Sequence, residues 1–260
     1  MKEYLEKFCS VEEHDKLLIP IDQHWKNVAI NVSGGADSAM LAYLICSKLK
    51  NTNIHIISNI RMWKTKPWQR HNSIDVFNWL KERFPNHNFT RYENLIAPEL
   101  EYGSNGFIIT LPNGVLKSGD QISTVSFAEY VCHYNNVDAW FSGVTNNPKE
   151  ESITLKPQER NLTYTSSKED LEKILFLRDN LLVCHPFIFT TKDWILKQYI
   201  DLNLIDLLGK TRSCEGDLDS APEVFGNLDY KTYVPGSEVP ECGKCYWCQE
   251  RNWAKYKNDL

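Results

Sequence analysis

Six residues, Ser33–Ser38, have the types and spacing of an anion-binding turn. They read Ser-Gly-Gly-Ala-Asp-Ser, and they follow an apolar stretch at 28–32 and precede an amphipathic stretch at 39–46. This order predicts a strand, a tight turn and a helix. A helix N-terminus gathers free backbone N–H groups and the positive end of the helix dipole. Two adjacent glycines let the main chain approach an anion closely. The turn therefore favours an enzyme that uses a nucleotide.

The turn differs from the two common glycine-rich nucleotide motifs. It lacks the Gly-Lys-Ser/Thr ending of a Walker loop and the G-x-G-x-x-G spacing of a dinucleotide site. It resembles the PP-loop of the N-type ATP pyrophosphatases, S-G-G-x-D-S. In that superfamily ATP is split between its α and β phosphates and the substrate becomes an adenylate. The alternative is a plain glycine turn in which Asp37 interacts only with the helix dipole.

Each side chain of the turn has a chemical role in this interpretation. The hydroxyls of Ser33 and Ser38 can donate to phosphate oxygens, and Asp37 is a hard oxygen ligand for Mg²⁺. We therefore predict Ser33, Asp37 and Ser38 as catalytic residues. The predicted ATP-binding residues are Ser33, Gly34, Gly35, Ala36, Asp37 and Ser38.

A second motif near the C-terminus has the spacing of a metal site. Cys242, Cys245 and Cys248 form a C-x2-C-x2-C run, and Cys214 is the nearest upstream candidate for a fourth ligand. Four thiolates around Zn²⁺ leave no open coordination position, so such a zinc would be structural. An iron–sulfur cluster is the alternative, because it also takes thiolate ligands. Disulfides are disfavoured because the chain shows no secretion signal.

Length and composition narrow the class of protein. The 260 residues predict one large α/β domain with a small appendage, and a hydrophobic content of 42 % is enough for a packed core. The net charge of −5 argues against broad binding to nucleic acid, which draws on many Lys and Arg side chains. No apolar run approaches the ~20 residues of a membrane span. The charged N-terminus has no signal-peptide core, so we expect a cytoplasmic protein.

The pattern of elements predicts a parallel sheet with helices on both faces. Such sheets bind ligands beyond the carboxyl ends of their strands, which places the turn and the loops 61–71 and 143–150 on one edge. The 61–71 loop interleaves basic and aromatic residues, which could stack a purine or could simply pack as a solvated loop. Strands are predicted at 28–32, 54–60, 107–111, 138–144 and 181–189, with helices at 39–46, 73–83, 121–134 and from Lys192, capped by Thr191.

The turn and the cysteine motif together resemble one family. The chain is similar, in pieces from about residue 28 to 251, to the QueC family of 7-cyano-7-deazaguanine synthases. The matching pieces are Ser33–Ser38, Gln69-Arg70-His71, Phe141–Val144, Pro186–Lys192, Thr211–Cys214 and Cys242–Arg251.

This resemblance implies a fold, a reaction and a domain organisation. The fold would be that of the adenine nucleotide alpha hydrolases, with ATP, Mg²⁺ and Zn²⁺ as cofactors. ATP would adenylate 7-carboxy-7-deazaguanine, ammonia would displace AMP to form the amide, and a second activation would dehydrate the amide to the nitrile. The substrate-binding residues would be Gln69, Arg70, His71 and Lys192. The implied segments are an N-terminal extension (1–27), an ATP pyrophosphatase domain (28–210) and a zinc-binding segment (211–260).

The chain also departs from the family, and other functions stay open. Here 27 residues separate Cys214 from Cys242, where the family has a short loop, and Thr145–Pro148 replaces an acidic stretch. A related enzyme could act on another carboxylate or attach a deazapurine to a macromolecule. A PP-loop enzyme that modifies tRNA by thiolation or lysidine formation is a second hypothesis, and a zinc-stabilised binding module is a third. A homodimer is also open.

Overall fold

The structure is a computed structural model that describes residues 9–11, 18–61, 68–96, 108–110, 116–148, 162, 168–214 and 241–260. The strands are β1 (Cys9–Val11), β2 (Leu18–Pro20), β3 (Asn27–Asn31), β4 (Asn53–Arg61), β5 (Asn88–Ile96), β6 (Ile108–Thr110), β7 (Leu116–Ser118), β8 (Ala139–Phe141), β9 (Leu175–Arg178) and β10 (Leu181–Cys184). The helices are α1 (Ala36–Lys48), α2 (Gln69–Arg83), α3 (Gly119–Tyr134), α4 (Lys168–Ile174), α5 (Lys192–Asp201), α6 (Ile205–Gly209) and α7 (Tyr246–Lys257).

A six-stranded sheet forms the centre of the fold. The strand order is β5-β4-β3-β8-β10-β9. The first five strands in this order, β5, β4, β3, β8 and β10, run parallel to one another. The sixth strand, β9, pairs antiparallel with β10 at one edge of the sheet. The pairs β1–β2 and β6–β7 form two further antiparallel sheets of two strands each. The predicted mostly parallel α/β architecture is confirmed.

Helices cover both faces of the central sheet. Alternate residues of a strand point to opposite faces. Val28 and Ile30 of β3 accordingly belong to the larger core, which includes side chains of α1, α2 and α5. Ala29, between them, belongs to a smaller core with Val131 of α3 and Trp140 of β8. Because β3 is buried on both faces, its sequence is a continuous apolar run rather than an alternating one.

The predicted elements are present, with some corrections to their ends. The helices predicted at 39–46, 73–83 and 121–134 all begin earlier than the sequence indicates. The strand predicted at 138–144 ends at Phe141, and the one at 181–189 ends at Cys184. Pro186 explains the second difference, since proline has no N–H for a ladder, and residues 186–189 form a turn. Residues 107 and 111 of the predicted 107–111 strand lie outside the described residues.

The N-cap of α5 also differs in detail. Thr191 occupies the N-cap position, as predicted, but its side chain makes no capping hydrogen bond to the helix backbone. Its hydroxyl instead donates to Asp193 Oδ1 at 2.5 Å. The first turn of α5 therefore keeps its backbone N–H groups free of that cap.

Described residues near both ends of the chain pack against the central part of the fold. Ile19 and Trp25 belong to the larger core, and α7 packs against α5. The proposed boundaries at 27/28 and 210/211 remain predictions. Among the described helices, none combines the length and apolar character that a membrane crossing needs.

Candidate active site

The predicted anion-binding turn lies at the carboxyl end of the central strand β3, where α1 begins. Gly35 is the N-cap residue, and no side chain caps the helix. The Ser38 hydroxyl donates to the Gly35 carbonyl and accepts the Ser33 N–H, both at 3.1 Å. The Ser33 Oγ lies 3.2 Å from the Ser38 Oγ. These bonds close the turn and bring both hydroxyls together at the helix N-terminus.

Two glycines lie where the chain packs closely around the turn. Gly34 has a φ of +81°, and a Cβ built on it would lie 2.7 Å from the Ser73 backbone nitrogen. A Cβ on Gly143, which follows β8, would lie 3.2 Å from the Ser38 Cα. A left-handed φ disfavours any side chain at Gly34. The turn thus packs between α2 on one side and the loop after β8 on the other.

Asp37, in the first turn of α1, faces Lys192, the first residue of α5. Lys192 Nζ donates to Asp37 Oδ2, and the Lys192 side chain is 1 % exposed. Asp37 Oδ1 is buried and has no hydrogen-bond partner among the described residues. Burial lowers the pKa of Lys192, but the charges of Asp37 and Glu250 outweigh it and raise this pKa above its ordinary value. Lys192 is therefore an ammonium ion beside the turn.

A second carboxylate, Glu250 of α7, lies close to the same ammonium. Its Oε2 is 3.5 Å from Lys192 Nζ, and Glu250 is 3 % exposed. The Tyr246 hydroxyl lies 3.2 Å from Glu250 Oε1 and 3.0 Å from Asn147 Oδ1. Burial raises the pKa of the Glu250 carboxyl, although the charge of Lys192 acts in the opposite direction. The side chains of Glu250 and Lys192 thus connect α7 to Asp37 in the turn.

Arg212 and Trp68 form another wall of the site. The Arg212 backbone N–H donates to the Gly34 carbonyl at 2.9 Å, and its guanidinium carbon lies 4.3 Å from the centre of the Trp68 ring. Such a stack attracts the cation to the face of the indole. The cavity here has a volume of about 100 Å³ and is lined by Ser33, Gly35, Asp37, Trp68, Gln69, Lys192, Arg212, Ser213, Cys214 and Trp247.

The four predicted substrate-binding residues occupy different places. Gln69 and Lys192 line this cavity. Arg70 Nε instead donates to both carboxylate oxygens of Glu93 at 3.1 Å, and His71 Nε2 lies 3.2 Å from Asp75 Oδ2. Neither Arg70 nor His71 is among the described residues that line the cavity. In the basic and aromatic segment predicted at 61–71, residues 62–67 lie outside the described residues, as do residues 149–150 of the 143–150 loop.

The four predicted cysteine ligands converge at one point. The Sγ atoms of Cys214, Cys242, Cys245 and Cys248 all lie within 4.8 Å of one another. Two backbone N–H groups donate to these sulfurs, that of Cys242 to Cys214 and that of Cys245 to Cys242, each at 3.3 Å. Gly243 has a φ of +70°, which lets the chain turn between the first two ligands of the run. These residues could hold a metal ion.

The spacing of the sulfurs fits a single tetrahedral ion. A Zn–S bond of about 2.3 Å places the sulfurs of a zinc site ~3.8 Å apart. Cys242 Sγ and Cys248 Sγ lie 3.8 Å apart. An iron–sulfur cube binds each thiolate to a different iron and so holds the sulfurs farther apart. The donor set and its geometry therefore fit zinc better than a cluster of four irons.

The cysteine centre and the turn are neighbours. The Trp68 indole N–H donates to the Cys214 carbonyl at 3.1 Å, and Arg251 Nη1 lies 3.3 Å from both the Thr211 carbonyl and the Ser213 Oγ. The segment that carries Cys214 is therefore held by α2 on one side and by α7 on the other.

Sequence reasoning assigned no individual role to Arg212, Trp68 or Glu250. Arg212 and Glu250 each lie two residues from a cysteine ligand. Both also lie in segments that carry the family resemblance, Thr211–Cys214 and Cys242–Arg251, and their positions become informative once the cysteine centre is known to adjoin the turn.

Comparisons with known proteins find structural likeness but no sequence relative. No protein-family model matches the chain, and no curated protein matches it. Among similar solved structures is the U34-tRNA thiolase NcsA from Methanococcus maripaludis with its 4Fe–4S cluster: TM-score 0.43, 15 % identity, 89 % of this chain and 69 % of that one.

Two further solved structures have somewhat lower TM-scores and sequence identities. NMN synthetase from Francisella tularensis has a TM-score of 0.42 and 12 % identity over 91 % of this chain and 88 % of that chain. A phosphoadenylyl-sulfate reductase from Candida auris, in a phosphate complex, has a TM-score of 0.38 and 10 % identity over 76 % and 84 %. These likenesses are weak, and the function of this chain has to be inferred from its own site.

Proposed function

We propose that this chain is an ATP-dependent enzyme of the N-type ATP pyrophosphatase kind, which splits ATP between its α and β phosphates and transfers AMP to a carboxylate. The observation that carries this proposal is the environment of Asp37. A buried carboxylate oxygen that has no hydrogen-bond partner in the part of the chain that the structure describes lies in a serine- and glycine-rich turn at a helix N-terminus, beside the ammonium of Lys192. Unpaired buried oxygens are costly, so a ligand that satisfies one is expected.

The groups around the turn suit a polyphosphate. Backbone N–H groups of the first turn of α1 and the hydroxyls of Ser33 and Ser38 can donate to phosphate oxygens. Lys192 and Arg212 supply positive charge where the departing pyrophosphate gains negative charge. Asp37 would hold Mg²⁺, which when bound shields the charge of the phosphates. The free oxygen of Asp37 is the donor available for that ion.

The more specific proposal is a reaction of QueC type. The carboxylate would be 7-carboxy-7-deazaguanine or a related compound, and ammonia would displace AMP to form an amide, with a second activation giving the nitrile. The sequence resemblance in the turn and in the cysteine motif supports this choice. Gln69 supports it from the structure, because this residue of the Gln-Arg-His motif lines the cavity beside the turn.

The cysteine centre is proposed as a structural zinc site. Four thiolates fill a tetrahedral ion, so it would have no position left for substrate or water. Its role would be to hold the segment of Cys214 against α7, next to the nucleotide site. Metal-bound thiolates would stabilise the fold as a cross-link does.

Product analysis tests this proposal directly. The protein is incubated with ATP, Mg²⁺ and ammonia, with either 7-carboxy-7-deazaguanine or unmodified tRNA, and AMP and pyrophosphate are measured with the product mass. We expect both to form only with the deazaguanine. Turnover with tRNA alone would favour the tRNA-modifying hypothesis, and formation of ADP would contradict α–β cleavage.

A pair of matched variants links the activity to the turn. Asp37→Asn keeps the size of the side chain but removes its charge, so pyrophosphate release should fall by about a hundredfold or more. The control is Asp179→Asn, an exposed residue in the turn between β9 and β10 whose φ of 49° asparagine also adopts readily. If Asp37→Asn turned over ATP as fast as the control, the proposed role of the turn would be wrong.

A further inference from the structure

We propose that Glu250 is a positioning residue of the nucleotide site, which acts through Lys192 and couples the cysteine centre to Asp37. The proposal rests on the proposed function, since it assigns Lys192 to the phosphates of ATP. Glu250 is not among the described residues that line the cavity, and its ion-pair partner in the site is Lys192.

Lys192 occupies a place that is electrostatically unfavourable for a cation. It is the first residue of α5, where the positive end of the helix dipole repels a positive charge. Its side chain is 1 % exposed, so water contributes little to its stabilisation. Neighbouring anions must therefore keep the ammonium in place, and the described residues supply two, Asp37 and Glu250.

The carboxylate oxygens of these two anions have different contacts. Asp37 lies at the start of α1 with one oxygen toward Lys192 and the other without a hydrogen-bond partner among the described residues. When Asp37 turns to a divalent ion, it shares its charge with that ion. Glu250 has no such second task, because its other oxygen lies 3.2 Å from the hydroxyl of Tyr246, one helical turn earlier. Glu250 thus stays with Lys192 throughout and keeps the ammonium beside the turn.

The same helix carries the cysteine ligands. Cys245 is the N-cap residue of α7 and Cys248 lies in its first turn, directly between Tyr246 and Glu250 in sequence. A metal bound by these cysteines would set the position of the first turn of α7. That position would in turn set where the Glu250 carboxylate meets Lys192. Metal binding and nucleotide binding would thereby be linked across one ion pair.

A double-mutant cycle tests whether Glu250 acts through Lys192. Binding of ATP with Mg²⁺ is measured by calorimetry for the wild type, Glu250→Gln, Lys192→Gln and the double variant, with melting curves of each. Glu250→Gln should weaken binding about tenfold, and it should have no further effect when Lys192 is already glutamine. Glu82→Gln, an exposed residue of α2, is the control and should bind as the wild type does.

The outcomes separate this proposal from the proposed function. If the wild type failed to bind ATP with Mg²⁺, the proposed function would fall and this proposal with it. If the wild type bound ATP and Glu250→Gln bound it equally well, only the positioning role would be overturned. The same holds if Glu250→Gln weakened binding by the same factor in the Lys192→Gln background as in the wild type. Should Glu250→Gln not fold, Tyr246→Phe is used instead. This change keeps the Glu250 carboxylate but removes the hydroxyl that orients it. It should weaken binding in the same direction and likewise only while Lys192 is present.

Discussion

Replacing Gly34 with alanine changes one atom at the point where the turn meets α2. The new Cβ would lie 2.7 Å from the Ser73 nitrogen and 2.8 Å from the Asn72 Cβ. Neither neighbour can yield easily: Ser73 is fully buried, and its hydroxyl both donates to the Arg70 carbonyl and accepts from Arg91. The turn must therefore move away from α2.

Two contributions determine how far Gly34→Ala lowers the free energy of unfolding. An alanine at a left-handed φ costs about 1–2 kcal/mol. Forcing an extra methyl group into a packed site costs about 1–3 kcal/mol. If both apply in full, the free energy of unfolding falls by about 2–5 kcal/mol, which for a chain of this size lowers the melting temperature by ~4–20 °C. A displaced turn should also reduce pyrophosphate release by about a hundredfold.

The matched control is Gly209→Ala at the end of α6. Apart from its chain neighbours and its own helix backbone, a Cβ there would meet no atom of the described residues within 4 Å, and its φ is not left-handed. This variant should be neutral or more stable by about 0.4–1 kcal/mol, because alanine restricts the unfolded chain. Chemical denaturation of both variants measures the difference. If Gly34→Ala unfolded within about 1 kcal/mol of Gly209→Ala, the reasoning from the close approach and the φ angle would be refuted.

Two further predictions concern the metal and a buried histidine. Chelation of the metal, or Cys248→Ser, should lower the free energy of unfolding because the buried thiolates lose their common ligand; identical denaturation curves with and without chelator would argue against a bound metal. His55 is 6 % exposed, neither ring nitrogen has a hydrogen-bond partner among the described residues, and burial lowers its pKa. As the pH falls below about 6.5, His55 therefore binds a proton more readily in the unfolded chain than in the folded one. The free energy of unfolding should then decrease from about pH 7.5 to about pH 5.5, and more steeply in the wild type than in His55→Phe. Parallel stability profiles would show that His55 does not contribute.

Elements with strong local patterns could be predicted from the sequence, and those without them could not. The run at 28–32, the glycine turn and the amphipathic stretch after it specify β3 and α1 by themselves. The edge strand β5 is half polar along its length and was not predicted. β9 was also missed, although Asp179 and Asn180 between it and β10 both have positive φ angles. Such a pair between apolar stretches is a hairpin signal that could have indicated it.

The same distinction holds within the site. Ser33–Ser38 is contiguous, and Cys242, Cys245 and Cys248 lie close in sequence, so local spacing was enough to group them. Gln69, Arg70 and His71 were grouped from a family resemblance over consecutive residues, yet of the three only Gln69 is among the described residues that line the cavity. Successive residues at the start of a helix point in directions about 100° apart, so neighbours in sequence need not share a site.

The sequence by itself determined which chemical groups are available: two hydroxyls and a carboxylate in a glycine turn, and four cysteines. The family resemblance had pointed to Lys192, but only the tertiary structure decided how distant groups are arranged around them. Lys192 is 155 residues from Asp37, and Glu250 lies farther still along the chain. They meet because the parallel sheet places β10 two strands from β3. The carboxyl ends of both strands then lie at one edge, with α5 following β10 there and α7 packed on α5. No local pattern encodes that proximity, because it follows from the strand order and from burial of apolar surface across the whole chain.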